Sequence, residues 1–212
     1  REDLQNEMLR LQADLEKTIV FVTHDIDEAV RLGDRIAVFG TGGVLQQYDT
    51  PDRVLSSPAT DFVASFVGRD RGYRGLSFRD GSSVPLHPLS TTRAEAATEV
   101  RLEPSEWVLV VDEADRPRGW MDVTGLEGVR AGHSIDESTA AGGSLFPEGG
   151  DLRQALDAAI SSPSGIGVAV RRDGSVLGGI DATEVLAVLA AQRGTEASER
   201  SRAFTESGPA AG

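Results

Sequence analysis

"TIVFVTHDIDEA", residues 18–29, is the stretch on which the fold turns. Apolar, mostly β-branched residues run from Ile19 to Val22 and stop at Thr23-His24-Asp25. A short continuous apolar run of this kind reads as a strand buried on both faces of a parallel sheet. Asp25 reads as the N-cap of a following helix, with Glu28 three residues on as its capping-box partner. Gly33 ends that helix. A histidine therefore stands where a strand meets a helix. That is the carboxyl edge of a sheet, where open α/β folds bind their ligands.

Upstream, Leu4, Met8, Leu11 and Leu15 recur at spacings of one helix face. Downstream, "RIAVFG" (35–40), "TGG" and "VLQQYD" (44–49) read as a hairpin. Thr50-Pro51 and Ser57-Pro58 each look like an N-cap followed by proline at the first helical position. Two short helices are expected there, with Val54, Leu55, Phe62, Val63 and Phe66 turned inward.

The 212 residues suit one or two ordinary domains, or a few small ones. The net charge of −13 argues against nucleic acid as a partner, because phosphate backbones select a basic face. The sequence has no cysteine, so it carries neither a disulfide framework nor a thiolate metal site. No apolar run approaches the roughly 20 residues of a membrane-spanning helix. The first residue is Arg1, inside what reads as a helix. The sole lysine, Lys17, has no glycines around it, so the sequence contains no G-x-x-x-x-G-K-[ST] phosphate loop. On this reading the chain is a piece of a longer protein.

Residues 69–90 are weakly patterned and mark a junction. Beyond them, "WVLVVDEADRPRGWMDVTGL" (107–126) aligns without gaps on "IGVAVRRDGSVLGGIDATEV" (166–185), at an offset of 59 residues. Each copy reads as strand, polar turn, strand and helix, with Gly119, Asp122 and Thr124 matching Gly178, Asp181 and Thr183. A duplicated unit of this size suggests two similar subdomains packed together. "DLRQALDAAI" (151–160) supplies an amphipathic helix before the second copy; its counterpart, "TTRAEAATEV" (91–100), is poorer. Residues 193–212 are small and polar and read as a disordered tail.

"VTHDIDEA" after an apolar strand resembles the switch-histidine segment of ATP-binding-cassette (ABC) ATPases. The sequence from Asp34 to Gly68 resembles the C-terminal end of the importer ATPase domain. "FVGRDRGYRGL" (66–76) and the duplicated unit resemble the osmoprotectant subfamily, in which paired cystathionine-β-synthase (CBS) domains follow the ATPase. The resemblance implies an α/β chain. Residues 1–68 would be the C-terminal part of a P-loop (RecA-like) ABC ATPase domain. Two α+β CBS domains would follow, over 69–130 and 131–192, then the tail 193–212. It implies ATP and Mg²⁺ as cofactors of the complete protein, with His24 as a catalytic residue at the γ-phosphate. It also implies a second ATPase subunit and membrane permease subunits as partners, and a substrate-binding protein indirectly. The place is the cytoplasmic face of a bacterial membrane. The cargo is an osmoprotectant such as glycine betaine, choline or proline. A non-enzymatic CBS regulator carrying an ATPase-fold remnant is the alternative.

For the CBS pair the resemblance implies an adenine nucleotide or cyclic dinucleotide as ligand, or a response to ionic strength. The family pattern G-x-h-T/S-x-x-D places a hydroxyl and a carboxylate on phosphate and ribose. Here Asp181 stands at the hydroxyl position and Glu184 at the acid position; the first copy has Asp122 and Gly125. Asp181 and Glu184 are the candidate nucleotide contacts. The competing reading is that Asp122 and Asp181 cap the helices that follow.

Overall fold

The offset of 59 residues is repeated in the backbone pairing. In the computed structural model, which describes residues 18–104 and 106–206, β4 (Val108–Val111) runs antiparallel to β5 (Pro117–Met121). In the second copy β7 (Ile166–Val170) runs antiparallel to β8 (Val176–Asp181). Val110 faces Gly119 and Val111 faces Pro117; Ala169 faces Gly178 and Val170 faces Val176, with a bulge at the same place in both. The turns match as well. Asp115 and Gly174 occupy equivalent positions with φ of 56° and 86°. Glycine adopts that conformation freely, and aspartate is one of the few other residues to visit it.

Each antiparallel pair carries a third, parallel strand. β3 (Thr91–Arg93) lies beside β4, and β6 (Leu145–Pro147) beside β7. Here the copies diverge. In the second, Asp151 and Gln154 form a reciprocal capping box that starts a ten-residue helix, Leu152–Ser161. In the first, the expected helix over 91–100 is a strand followed by a 3₁₀ segment, Ala94–Glu99. The connection from β3 to β4 is four residues shorter than that from β6 to β7, about one helical turn.

Each sheet is closed on its outer edge by the other repeat. His87, which precedes β3, exchanges two backbone hydrogen bonds with Gly179 of β8 at 2.9 and 2.7 Å. Ala140, which precedes β6, does the same with Trp120 of β5 at 2.9 and 2.7 Å. Both faces of β4 are buried. Val108 and Val110 pack with Met121 and Leu126 towards the helix Val123–Arg130 (α5). Leu109 and Val111 pack with Trp120 against Val168 and Val170 of the other repeat. A strand covered on both faces has no polar side, which explains the unbroken "VLVV". The last helix runs from Ala182 to Glu206, so the composition read as a disordered tail from 193 is helical as far as the description extends. Its alanines, glutamates and arginines are strong helix formers.

The other compact unit ends at Phe78, within the weakly patterned stretch 69–90. Its hairpin forms as read, with β1 (Ile36–Phe39) antiparallel to β2 (Leu45–Asp49). The helices Pro51–Ser56 (α2) and Asp61–Val67 (α3) follow. Three expectations are corrected. Ser57-Pro58 is the end of α2 and its linker; Thr60 caps α3, accepting a bond from Val63 N. Phe62 and Phe66 point outward, stacked on each other with ring centroids 6.4 Å apart. Val63 and Val67 take the inward positions, against Ile36, Val38, Val54 and Leu55. Residues 18–23 form no strand, and Val20 and Val22 are 85% and 89% exposed. A parallel-sheet strand depends on neighbours along its edges and layers over its faces, and among the described residues no strand pairs with this one.

One close approach decides a sequence difference between the copies. At Gly125, in α5, a Cβ would lie 2.2 Å from the Ser138 carbonyl oxygen and 2.7 Å from Met121 Cγ. Gly194, in the last helix, in contrast faces open space. Gly125→Ala is expected to lower the stability of the duplicated unit by about 1–3 kcal/mol. Gly194→Ala is expected to leave it unchanged or raise it by up to about 1 kcal/mol. Urea unfolding followed by tryptophan fluorescence checks this, since both tryptophans, Trp107 and Trp120, lie in the duplicated unit.

Candidate functional site

The segment around His24 is tied down locally. Asp25 caps the helix Ile26–Leu32 (α1), its carboxylate accepting from Asp27 N at 2.9 Å and Glu28 N at 3.4 Å. Thr23 Oγ1 accepts from Asp25 N at 3.0 Å and donates to the Glu28 carboxylate at 2.8 Å. Glu28 thus reaches Thr23. His24 sits exposed in the bend these bonds create, ahead of α1 and not at the end of a described strand. Asp25, Asp27 and Glu28 follow His24 within four residues, and Asp27 is paired with Arg74 at 2.7 Å. The sequence holds no phosphate loop, so the described residues alone do not fit ATP.

Asp122 and Asp181, at matching positions, both act on the start of a helix. Asp122 accepts from Gly125 N at 2.9 Å and caps α5. Asp181 accepts from Thr183 N at 2.7 Å and from the Thr183 hydroxyl. The Thr183 hydroxyl, and then its backbone N–H, hold the Asp181 carboxyl below the usual carboxylate range. A carboxylate kept charged in this way is a good helix cap and a poor neighbour for a phosphate.

Glu184, one turn into the last helix, meets His87: Nε2 to Oε2 is 2.6 Å. The structure therefore brings Asp181 and Glu184 together with a histidine that sequence reading left without a role. The two partners are 97 residues apart, and no local pattern announces such a contact. In the first copy the position of Glu184 is Gly125. The Ser138 carbonyl fills the space where a side chain would begin. One acid position is thus closed by backbone, and the other is occupied by an imidazole.

Between the repeats lies a cavity of about 200 Å³. Leu109, Trp120, Leu145 and Val168 give it apolar walls, and Gly142 and Gly143 border it without side chains. Arg118 is the ionisable residue in its lining, and its guanidinium pairs with Asp136 at 2.6 Å. Sequence reading did not find this cavity. The gapless repeat was the available signal, since two packed copies leave a cleft between them.

No protein-family model matches the chain. It is 38% identical over 133 residues to the carnitine transport ATP-binding protein OpuCA of Listeria monocytogenes, covering 60% of this chain and 33% of that protein. It is 35% identical over 160 residues to the choline transport ATP-binding protein OpuBA of Bacillus subtilis, covering 69% and 42%. It is 39% identical over 127 residues to the osmoprotectant import ATP-binding protein OsmV of Salmonella typhimurium, covering 57% and 33%. The chain thus spans roughly a third to two fifths of the length of the curated relatives it matches. Among solved structures, Staphylococcus aureus OpuCA aligns with a TM-score of 0.38 at 16% identity, over 50% of this chain and 95% of that one. Over the matched residues, the homologues of this chain are ATP-binding subunits of osmoprotectant ABC transporters.

Proposed function

We propose that the chain is the C-terminal part of the ATP-hydrolysing subunit of an ABC importer for osmoprotectants, with residues 79–206 as its CBS regulatory module. The observation that supports this most is the identity to the carnitine, choline and osmoprotectant subunits. In this reading the complete subunit binds ATP and Mg²⁺ and works as a dimer beneath a membrane permease on the cytoplasmic side. A substrate-binding protein acts indirectly, through that permease. His24 donates a hydrogen bond to the γ-phosphate, with the phosphate cradle supplied by the rest of the subunit. The CBS module adjusts that activity; Asp181 and Glu184 contribute to it by fixing the start of the last helix and by holding His87.

Two outcomes check this. The 212 residues by themselves are expected to release phosphate from ATP only at background, because they contain no phosphate loop. Robust turnover by them would reject the assignment of roles. In the complete subunit, His24→Ala is expected to lower kcat by about a hundredfold or more while leaving ATP affinity within a few-fold, since the loss falls on the transition state. A near-normal kcat would make His24 a structural residue.

A further inference from the structure

We infer that Arg74 is a positioning residue for His24: its guanidinium fixes the rotation and height of α1, the helix to which the histidine's bend is bonded. The inference rests on the reading of His24 as the γ-phosphate donor.

His24 and the start of α1 move as one piece. Asp25, the residue after the histidine, accepts from Asp27 N and Glu28 N. Thr23, the residue before it, donates to the Glu28 carboxylate at 2.8 Å. Both neighbours of the histidine are thus bonded to the first turn of α1, and a shift of that turn carries the histidine with it.

The helix itself has little to hold it. It has seven residues, and none of them is buried. A helix that short does not persist in water by itself. Ile26, Ala29 and Val30 rest, partly covered, on the core that contains Val54, Leu55, Val63 and Val67. Apolar contact of this kind is non-directional, so it favours proximity and leaves rotation about the helix axis to other forces.

Arg74 supplies the directional force. It ends the short helix Arg71–Arg74 (α4), which follows α3. Its Nε meets Asp27 Oδ1 at 2.7 Å and its Nη2 meets Asp27 Oδ2 at 3.2 Å, two prongs on one carboxylate. Nη1 donates to the carbonyl of Val67, the last residue of α3, at 2.6 Å. Nη2 also meets Asp70 at 3.1 Å. Val67 belongs to the buried core, so the guanidinium refers Asp27 to the rigid part of the unit. The Arg74 side chain is 15% exposed, against 60% for each acid. An ion pair between two exposed, unanchored side chains contributes little. Here one partner is largely covered and bonded to backbone, in a planar fork that lysine does not reproduce. The chain is shaped for it. Gly68, after α3, has a φ of 82°, and a Cβ there would lie 3.1 Å from Asp70 Oδ1 and 3.6 Å from Arg74 Nη1. Asp27 is three residues past His24, so the path from core to histidine is short. A catalytic group displaced by about 1 Å loses about a hundredfold in rate, which makes such an anchor consequential.

ATP hydrolysis by the complete subunit tests the inference, with Arg74→Ala and Asp27→Asn. Asp27→Asn is nearly isosteric at an exposed side chain and keeps the fold. Each variant is expected to lower kcat about tenfold or more, the loss typical of a charge-assisted pair, and to leave KM for ATP within about threefold. Hydrogen exchange at the amides of residues 25–32 is expected to quicken about tenfold in both. In a His24→Ala background, Arg74→Ala is expected to lower kcat no further, because it acts through the histidine. A wild-type kcat in Asp27→Asn, or a full further loss in the His24→Ala background, would overturn the inference. An inactive His24→Ala beside a fully active Asp27→Asn would reject the positioning role and leave the histidine's role standing. A fully active His24→Ala beside quickened exchange in Asp27→Asn would remove the histidine's role and leave Arg74 as the anchor of α1.

Discussion

The exchange of backbone bonds between the repeats is the interaction from which the rest of the duplicated unit follows. A three-stranded sheet with a bare edge is a template for unwanted pairing, and each sheet here has its outer edge covered by a short segment of the other copy. His87 on Gly179 and Ala140 on Trp120 hold the sheets face to face. That brings Leu109, Val111 and Trp120 against Val168 and Val170. The glycines kept in both copies make the exchange sterically feasible. A Cβ at Gly119 would lie 2.7 Å from the Ala140 carbonyl, and one at Gly178 would lie 3.0 Å from the His87 carbonyl. The repeat is thus a pair by construction, since neither copy completes its own sheet.

Symmetry in the backbone is broken in the side chains. Where the second copy carries Glu184, the first carries Gly125. The reason is the short helix Ile135–Ser138, whose end presses its carbonyl onto α5. The second copy has room for an acid, and His87 of the exchanged segment fills it. Each side therefore departs from the usual hydroxyl-and-acid arrangement in its own way. What remains between them is a compact, nearly neutral cavity with a single guanidinium at its rim.

Much of this was legible because it is local or periodic. The hairpin, the caps at Asp25 and Asp122, and the gapless repeat all follow from short-range chemistry. What was not legible depends on partners far away in sequence. The run 18–23 has the composition of a buried strand, but a strand is a relation between segments, and the described residues supply it no neighbour. Phe62 and Phe66 lie on the same helix as Val63 and Val67. Spacing alone does not say which pair faces inward when the helix has only seven residues. The helix expected over 91–100 gives way to a strand and a 3₁₀ segment where the connection is four residues shorter than in the second copy. The His87–Glu184 contact and the cavity need the two copies to be docked before they exist.

The two exchanged bonds differ greatly in reach, and this sets a timetable for synthesis. Ala140 pairs with Trp120, 20 residues back, whereas His87 must await Gly179, 92 residues further on. At about 5–20 residues per second on a ribosome, the segment around His87 stays unpartnered for roughly 5–20 s while the rest emerges. Pro85 and Pro88 flank that histidine. Neither has an N–H to offer a passing strand, so a nascent segment that must wait is poorly equipped to pair with the wrong one. The same two prolines explain why the final contact is a single bridge and not a full strand: the waiting segment is protected by the feature that later limits its grip.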